Sequence, residues 1–154
     1  LIKYQPVATD LRGVTGAVRI ATDLEQIGDD ARRISIQAPK LTPWLAFDSE
    51  GVLEEQWKLS QKALVDGVAS FSYHDPVKAS QVTEFKRQTR KLAKDARSRL
   101  SKAVAKNKAL ATSFVEAVNV THGLENISLH ACSLGEAVVF IETATDRRDR
   151  RENI

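Results

Sequence analysis

Apolar residues recur in the opening third of the chain at Ala17, Ile20, Leu24, Ile27, Ala31 and Ile34, with spacings that alternate between three and four. That rhythm predicts a helix with one stripe turned toward a partner helix. Pro6 suits the first turn of such a helix, where its missing N–H costs nothing. No proline follows until Pro39, so one helix is expected from Pro6 to Ala38. Gly28 lies beside the stripe, where it would permit close helix approach. Residues 39–49 carry two prolines and read as a linker that stops one helix and starts another.

A second helix is expected over residues 50–72, with Val52, Leu53, Trp57, Leu64, Val68 and Phe71 as its face. Asp75 followed by Pro76 is a helix start: a carboxylate for the orphan N–H groups, then proline at the first helical position. The third helix should run to Asn107 on a heptad-like face of Phe85, Thr89, Leu92, Ala96, Arg99 and Ala103. Arg99 is the polar exception, and Leu100 beside it can cover the same surface. A fourth helix is expected over residues 109–144, then a charged tail over 146–154 that frays.

The fourth helix repeats the first at an offset of 100 residues. Ala17, Ile20, Leu24, Ile27, Ala31 and Ile34 map onto Ala117, Val120, Leu124, Ile127, Ala131 and Leu134. Apolar matches alone mean little between helices of one period. The polar match of Glu25 with Glu125 is more informative. A repeat of that length implies a unit of several helices. Helices two to four would form a complete second unit, with only the last helix of a first unit ahead of them. Two further helices are then expected upstream of Leu1, which agrees with a chain of 154 residues that has no Met. The expected organisation is 1–38 as the last helix of a first unit, 39–49 as linker, 50–145 as a second three-helix unit and 146–154 as tail.

Composition narrows the function classes. Gly and Pro number only 7 and 4, which argues against an all-β sandwich with its frequent turns. The sequence shows no run of about 20 apolar residues and no secretory pattern at its start. A single cysteine, Cys132, is simplest in a reducing cytosol. Net charge is +3, but residues 84–108 hold ten Lys or Arg against Glu84 and Asp95, a local +8 beside a remainder of −5. A basic segment on an acidic body suits an acidic protein, an anionic lipid surface or nucleic acid. Lys91, Lys94 and Arg97 are the candidate contacts. For nucleic acid the segment offers few readers, only Phe85, Gln88 and Asn107, so that alternative is the poorer one.

Candidate chemistry lies in Asp23 to Asp30. Glu25 and Asp29 stand at i, i+4, so both carboxylates share one helix face, while Asp23 and Asp30 point to the other flank. Like charges at that spacing repel, and a bridging cation would offset the repulsion. The matching positions of the fourth helix differ: Glu125 is kept, Asp29 becomes Leu129 and Asp30 becomes His130, while His122 and Glu125 at i, i+3 could share a metal. No phosphate loop, HExxH, CxxC or nucleophile elbow occurs. A metal-dependent enzyme therefore ranks last, and no catalysis is expected.

Gln5-Pro6-Val7-Ala8-Thr9-Asp10-Leu11-Arg12, a gap of ten residues, and Asp23-Leu24-Glu25-Gln26-Ile27-Gly28-Asp29 together resemble the PhoU family, whose pattern is QP-x-A-x-DLR, the same gap, and DLERIGD. Lys62-Ala63-Leu64, Asp75-Pro76 and Ala79 sit where that family's second unit begins, and Leu124 to Ala131 resembles its second LERIGDHA motif. Leu129 and Ser133 depart from that second motif. The third helix keeps only Glu84 of the family's acidic run. The resemblance implies an all-α, PhoU-like antiparallel bundle of tandem three-helix units. It implies a cytoplasmic negative regulator of phosphate uptake and of the phosphate-starvation response. Such a protein acts with the phosphate ABC transporter's ATPase and a membrane sensor kinase, and touches the membrane only indirectly. It also implies a metal cluster of iron, zinc or magnesium, for which Glu25 and Asp29 match the family's acidic motif. Asp30, His122 and Glu125 are the weaker candidates. The apolar stripe of the first helix calls for cover, from the second unit or from a second copy of the chain.

Overall fold

The computed structural model describes residues 8–41 and 51–144. They form four α-helices: α1 (Ala8–Gln37), α2 (Val52–Ser72), α3 (Pro76–Lys106) and α4 (Phe114–Thr143). A 3-10 turn, Ala38–Leu41, follows α1, and a second one, Lys108–Ser113, leads into α4. The described residues contain no strand. The expected start of α1 at Pro6, most of the 39–49 linker and the 146–154 tail lie outside the described residues. The fourth helix begins later than expected, because 108–113 wind as a 3-10 turn.

Local chemistry sets the helix ends. Asp75 Oδ1 accepts hydrogen bonds from the N–H groups of Val77 and Lys78 at 3.0 and 2.9 Å, and Pro76 follows it, as the sequence predicted. Asn107 closes α3 by donating its backbone N–H to Ala103 O, while its side chain accepts from Ala109 N at 3.1 Å. Gly51 enters α2 at φ 64°, in the left-handed region that glycine adopts without penalty.

The central element is α4, which packs on α1, α2 and α3 alike. Its residues from Ala131 to Val139 are buried except Ser133. Among the described residues it is also the one helix long and apolar enough to cross a membrane, but most of it is covered by its three neighbours. Two clusters hold it. One joins Leu41, Leu100, Leu110, Ala117, Val120 and Leu124; the other joins Ile20, Ala79, Leu134, Ala137, Val138 and Val139. Cys132 is fully buried, donates to Val82 O at 3.1 Å, and has its thiol pushed up to about 12 by burial.

Three predicted faces are turned relative to the expectation. On α1 the stripe divides. Ile20 and Ile27 are buried and Ile34 half-buried, but Ala17, Leu24 and Ala31 are exposed. The face on α4 is Gly16, Ile20, Asp23, Ile27, Asp30 and Ile34, which counts two acids and a glycine as interior. On α2 the expected large residues turn outward: Trp57 is 51% exposed, and Val68 and Phe71 are exposed too. Gln56, Ser60, Ala63, Gly67 and Ser70 are buried instead. Their hydroxyls are satisfied within the helix, Ser60 donating to Trp57 O and Ser70 to Gly67 O. Gln56 donates to Thr121 O of α4 at 3.1 Å. On α3 the buried line is Ala79, Val82, Thr89, Ala93, Ala96 and Leu100, so Leu100 does take the place of the exposed Arg99.

Small interior residues let the backbones approach. A Cβ on Gly135 would sit 2.8 Å from Ala79 O of α3, and one on Gly67 would sit 3.2 Å from Ala131 O. Gly28 has nothing within 4 Å of such an atom, so it is not the close-approach residue its position beside the stripe suggested. Gly135→Ala should therefore destabilise the fold by about 1–3 kcal/mol, the range for overpacking. Gly28→Ala should stabilise it by up to about 1 kcal/mol through helix propensity. Urea denaturation of both variants checks the opposite signs.

Candidate functional site

The acidic pair sits on the outer side of α1. At 100° per residue, Glu25 and Asp29 fall about 160° from the buried face, and both are exposed. They share that side with Leu11, Val18 and Ile36, which are 53%, 63% and 56% exposed. Among the described residues α1 packs chiefly on α4, so no described helix faces the pair.

The other acids are drawn inward and already engaged. Asp30 is buried and accepts from Arg33 Nη2 at 2.6 Å and from Asn126 Nδ2 at 3.5 Å. Asp23, also buried, accepts from His130 Nδ1 at 2.9 Å. Glu125 accepts from Arg97 Nη1 at 2.6 Å, and His122 stands 3.9 Å from the same oxygen. Glu136 is buried on α4 and receives Lys86 of α3 on one oxygen. Arg19 of α1 reaches its other oxygen at 3.2 Å and also donates to Ser133 Oγ at 2.9 Å. One carboxylate thereby joins three helices.

These contacts decide how well a metal cluster fits. Among the described residues no three His, Cys, Asp or Glu side chains converge as a metal would require. Glu125 is neutralised by Arg97 and Asp30 by Arg33, while Leu129 supplies no ligand. The second motif therefore holds ion pairs where the resemblance implies metal. Glu25 and Asp29 are free to ligate, but they are two carboxylates on an open surface, and the described chain brings no third donor to them.

The basic segment resolves into two sides of α3. Lys86 and Arg97 turn toward α4 and are spent on Glu136 and Glu125. Arg97 is thus not the free contact expected of it. Arg87, Arg90, Lys91 and Lys94 face outward and are exposed. Arg87 and Arg90 were not singled out in the sequence, because hydropathy does not separate a helix's paired cations from its free ones. Elsewhere, an apolar cleft of about 440 Å³ lies between Trp57, Leu53, Ile34, Leu41, Val120 and Leu124. A polar one of about 180 Å³ is lined by Asp30, Arg33, Gln37, Asn119 and His122.

The sequence reading missed Glu136 and its partners Arg19 and Lys86. A signal was present: a lone acid inside the apolar run from Leu134 to Ile141 can be kept there only with cations brought to it. Lys86→Met should cost about 1–2 kcal/mol, since Arg19 remains on Glu136. The Arg19→Met and Lys86→Met double variant should cost about 3–5 kcal/mol, because an unpaired carboxylate is then left buried. Urea denaturation measures both. For the outer pair, wild-type protein and Asp29→Ala, exposed to iron, zinc or magnesium and desalted, should retain equal and substoichiometric metal by elemental analysis. Stoichiometric metal that Asp29→Ala abolishes would reverse the reading of a two-ligand surface pair.

Comparison with known proteins follows the same lines. No family model matches the chain. A protein of Zymomonas mobilis described as "Phosphate-specific transport system accessory protein PhoU homolog" is 24% identical over 145 residues, 94% of this chain and 61% of the relative. The homologue of the same description from Rhizobium meliloti is 26% identical over 155 residues, 98% of this chain and 64% of its own length. One from Aquifex aeolicus is 37% identical over 89 residues, 53% of this chain and 37% of its own. The chain spans under two thirds of the length of these relatives. The crystal structure of PhoU from Pseudomonas aeruginosa superposes with a TM-score of 0.82 at 21% identity, covering 92% of this chain and 68% of that one. The likeness to the PhoU family first seen in the motifs of residues 5–12 and 23–29 thus extends along nearly the whole chain, and the fold is the all-α bundle of PhoU.

Proposed function

We propose that this chain is part of a cytoplasmic accessory protein of phosphate transport. In this reading it is a docking adaptor on the phosphate ABC transporter's ATPase and on a membrane sensor kinase, and it lowers the phosphate-starvation response. The observation that carries this is the similarity over 94–98% of the chain to proteins described as phosphate-specific transport system accessory proteins, on one shared fold.

The side chains support a role in binding rather than catalysis. Asp23, Asp30, Glu125 and Glu136 are each held by a cation or histidine of the same bundle, so they serve packing. The Cys132 thiol is buried and pushed up to about 12, which removes it as a nucleophile near neutral pH. The outer side of α1, with Leu11, Val18 and Ile36 around Glu25 and Asp29, offers apolar anchors flanked by charge, as protein interfaces do. A partner subunit or a second copy of this chain would bury it, and a cation on Glu25 and Asp29 would need its remaining ligands from the same source.

The test is co-purification from a bacterium expressing the tagged chain at high phosphate. The transporter's ATPase subunit should be retained with wild-type protein, and Val18→Glu should lose it while the helical circular dichroism is unchanged. A folded wild-type chain that retains neither ATPase nor kinase would overturn the adaptor reading.

A further inference from the structure

The outward side of α3 carries Arg87, Arg90, Lys91 and Lys94, all exposed and without an ion-pair partner among the described residues. At 100° per residue they fall within an arc of about 100° on one side of the helix. Lys102 extends the same side, so the row runs about 22 Å along the axis. Ser98, Ser101 and Ala105 fill the positions between and beyond, all exposed and short. The two carboxylates of α3, Glu84 and Asp95, stand at the edge of this arc. The opposite side of the helix is fixed to α4 by the core line and by Lys86 and Arg97, so the row is presented on a rigid support.

We propose that this row is a contact surface for an anionic lipid bilayer. The chemistry selects among anionic partners. A protein interface needs buried apolar or aromatic anchors at its centre, and between and beyond these cations on this side stand only Ser98, Ser101 and Ala105. A nucleic-acid surface needs side chains that stack on bases or read their edges, and the nearest candidate, Gln88, lies about 60° beyond the edge of this arc. A bilayer asks for neither. Long flexible cations meeting a diffuse layer of phosphate headgroups gain about 1 kcal/mol each, roughly fivefold in partition, with no fixed geometry. This gives the chain a direct membrane contact where the resemblance implies only an indirect one, and it stands independently of the adaptor reading.

The test is sedimentation with vesicles at about 0.1 M NaCl, comparing phosphatidylcholine alone with mixtures holding about 30% phosphatidylglycerol, and repeated at about 0.5 M NaCl. Binding is expected only to the anionic vesicles, and it should be lost at the higher salt. Lys91→Gln with Lys94→Gln should weaken it about 25-fold. Arg32→Gln with Lys58→Gln removes the same charge from exposed positions on α1 and α2, and should weaken it less than about threefold. Duplex DNA and polyglutamate serve as competing anions. No binding to anionic vesicles, an equal loss in both double variants, or tighter binding to DNA or polyglutamate than to vesicles would each overturn the proposal.

Discussion

The enclosure of α4 is the constraint on which the rest of this bundle depends. One helix is shared by three neighbours, so nearly every side chain on it must be small, apolar or satisfied by an internal partner. Gly123 and Gly135 admit the neighbouring helices closely, Thr121 and Ser128 return their hydroxyls to carbonyls of their own helix, and Glu136 is compensated from two sides. The helix is apolar enough to resemble a membrane span by composition, yet its apolar surface is consumed by helix packing. What remains outside, on α1, α2 and α3, is where recognition can occur.

The internal repeat gains physical meaning from the packing of α1 on α4. The two helices lie antiparallel: Gly16 meets Ile141, Asp23 meets His130, and Ile34 meets Gly123. At the repeat offset of 100, His130 is the counterpart of Asp30 and Gly123 the counterpart of Asp23. Asp23 beside His130, and Asp30 beside Gly123, are therefore the same contact seen from the two ends. An approximate two-fold axis passes between Ile27 and Ile127. The repeat diverges in charge. The first copy keeps Glu25 and Asp29 on its outer side, whereas the second pairs Glu125 with Arg97 and has Leu129 opposite Asp29.

Much of the architecture was legible in the residues. Helix number, the Asp75-Pro76 start and the exchange of Arg99 for Leu100 follow from spacing and capping chemistry, whereas the cover of the first helix, left open between the second unit and a second copy, is supplied by the last helix. The faces were less legible. Reading Trp57, Val68 and Phe71 as interior assumed that the largest apolar groups go inside, but α2 approaches α4 through Gly67, Ala63 and Ser70, which bulkier groups would hold apart. Asp23 and Asp30 were assigned to a flank for the same reason, since hydropathy cannot foresee that His130 and Arg33 wait for them. The motif of residues 23–29 located Glu25 and Asp29. What it could not show is that the described chain offers these carboxylates no third ligand.

The polar contacts inside the α1–α4 seam act as a vernier. Apolar side chains recur along each helix once per turn, about 5.4 Å, so hydrophobic contact alone sets the alignment of α1 on α4 less strictly than paired polar groups do. A slide of one turn would break the contacts that cross the seam, Asp23 with His130, Asp30 with Asn126 and Glu136 with Arg19, while Arg33 would stay on Asp30 and Lys86 on Glu136. A seam of isoleucines alone would tolerate several alignments. Here the cross-seam polar contacts favour the observed alignment, and with it the level along the bundle at which the outer sides of α1 and α3 are displayed.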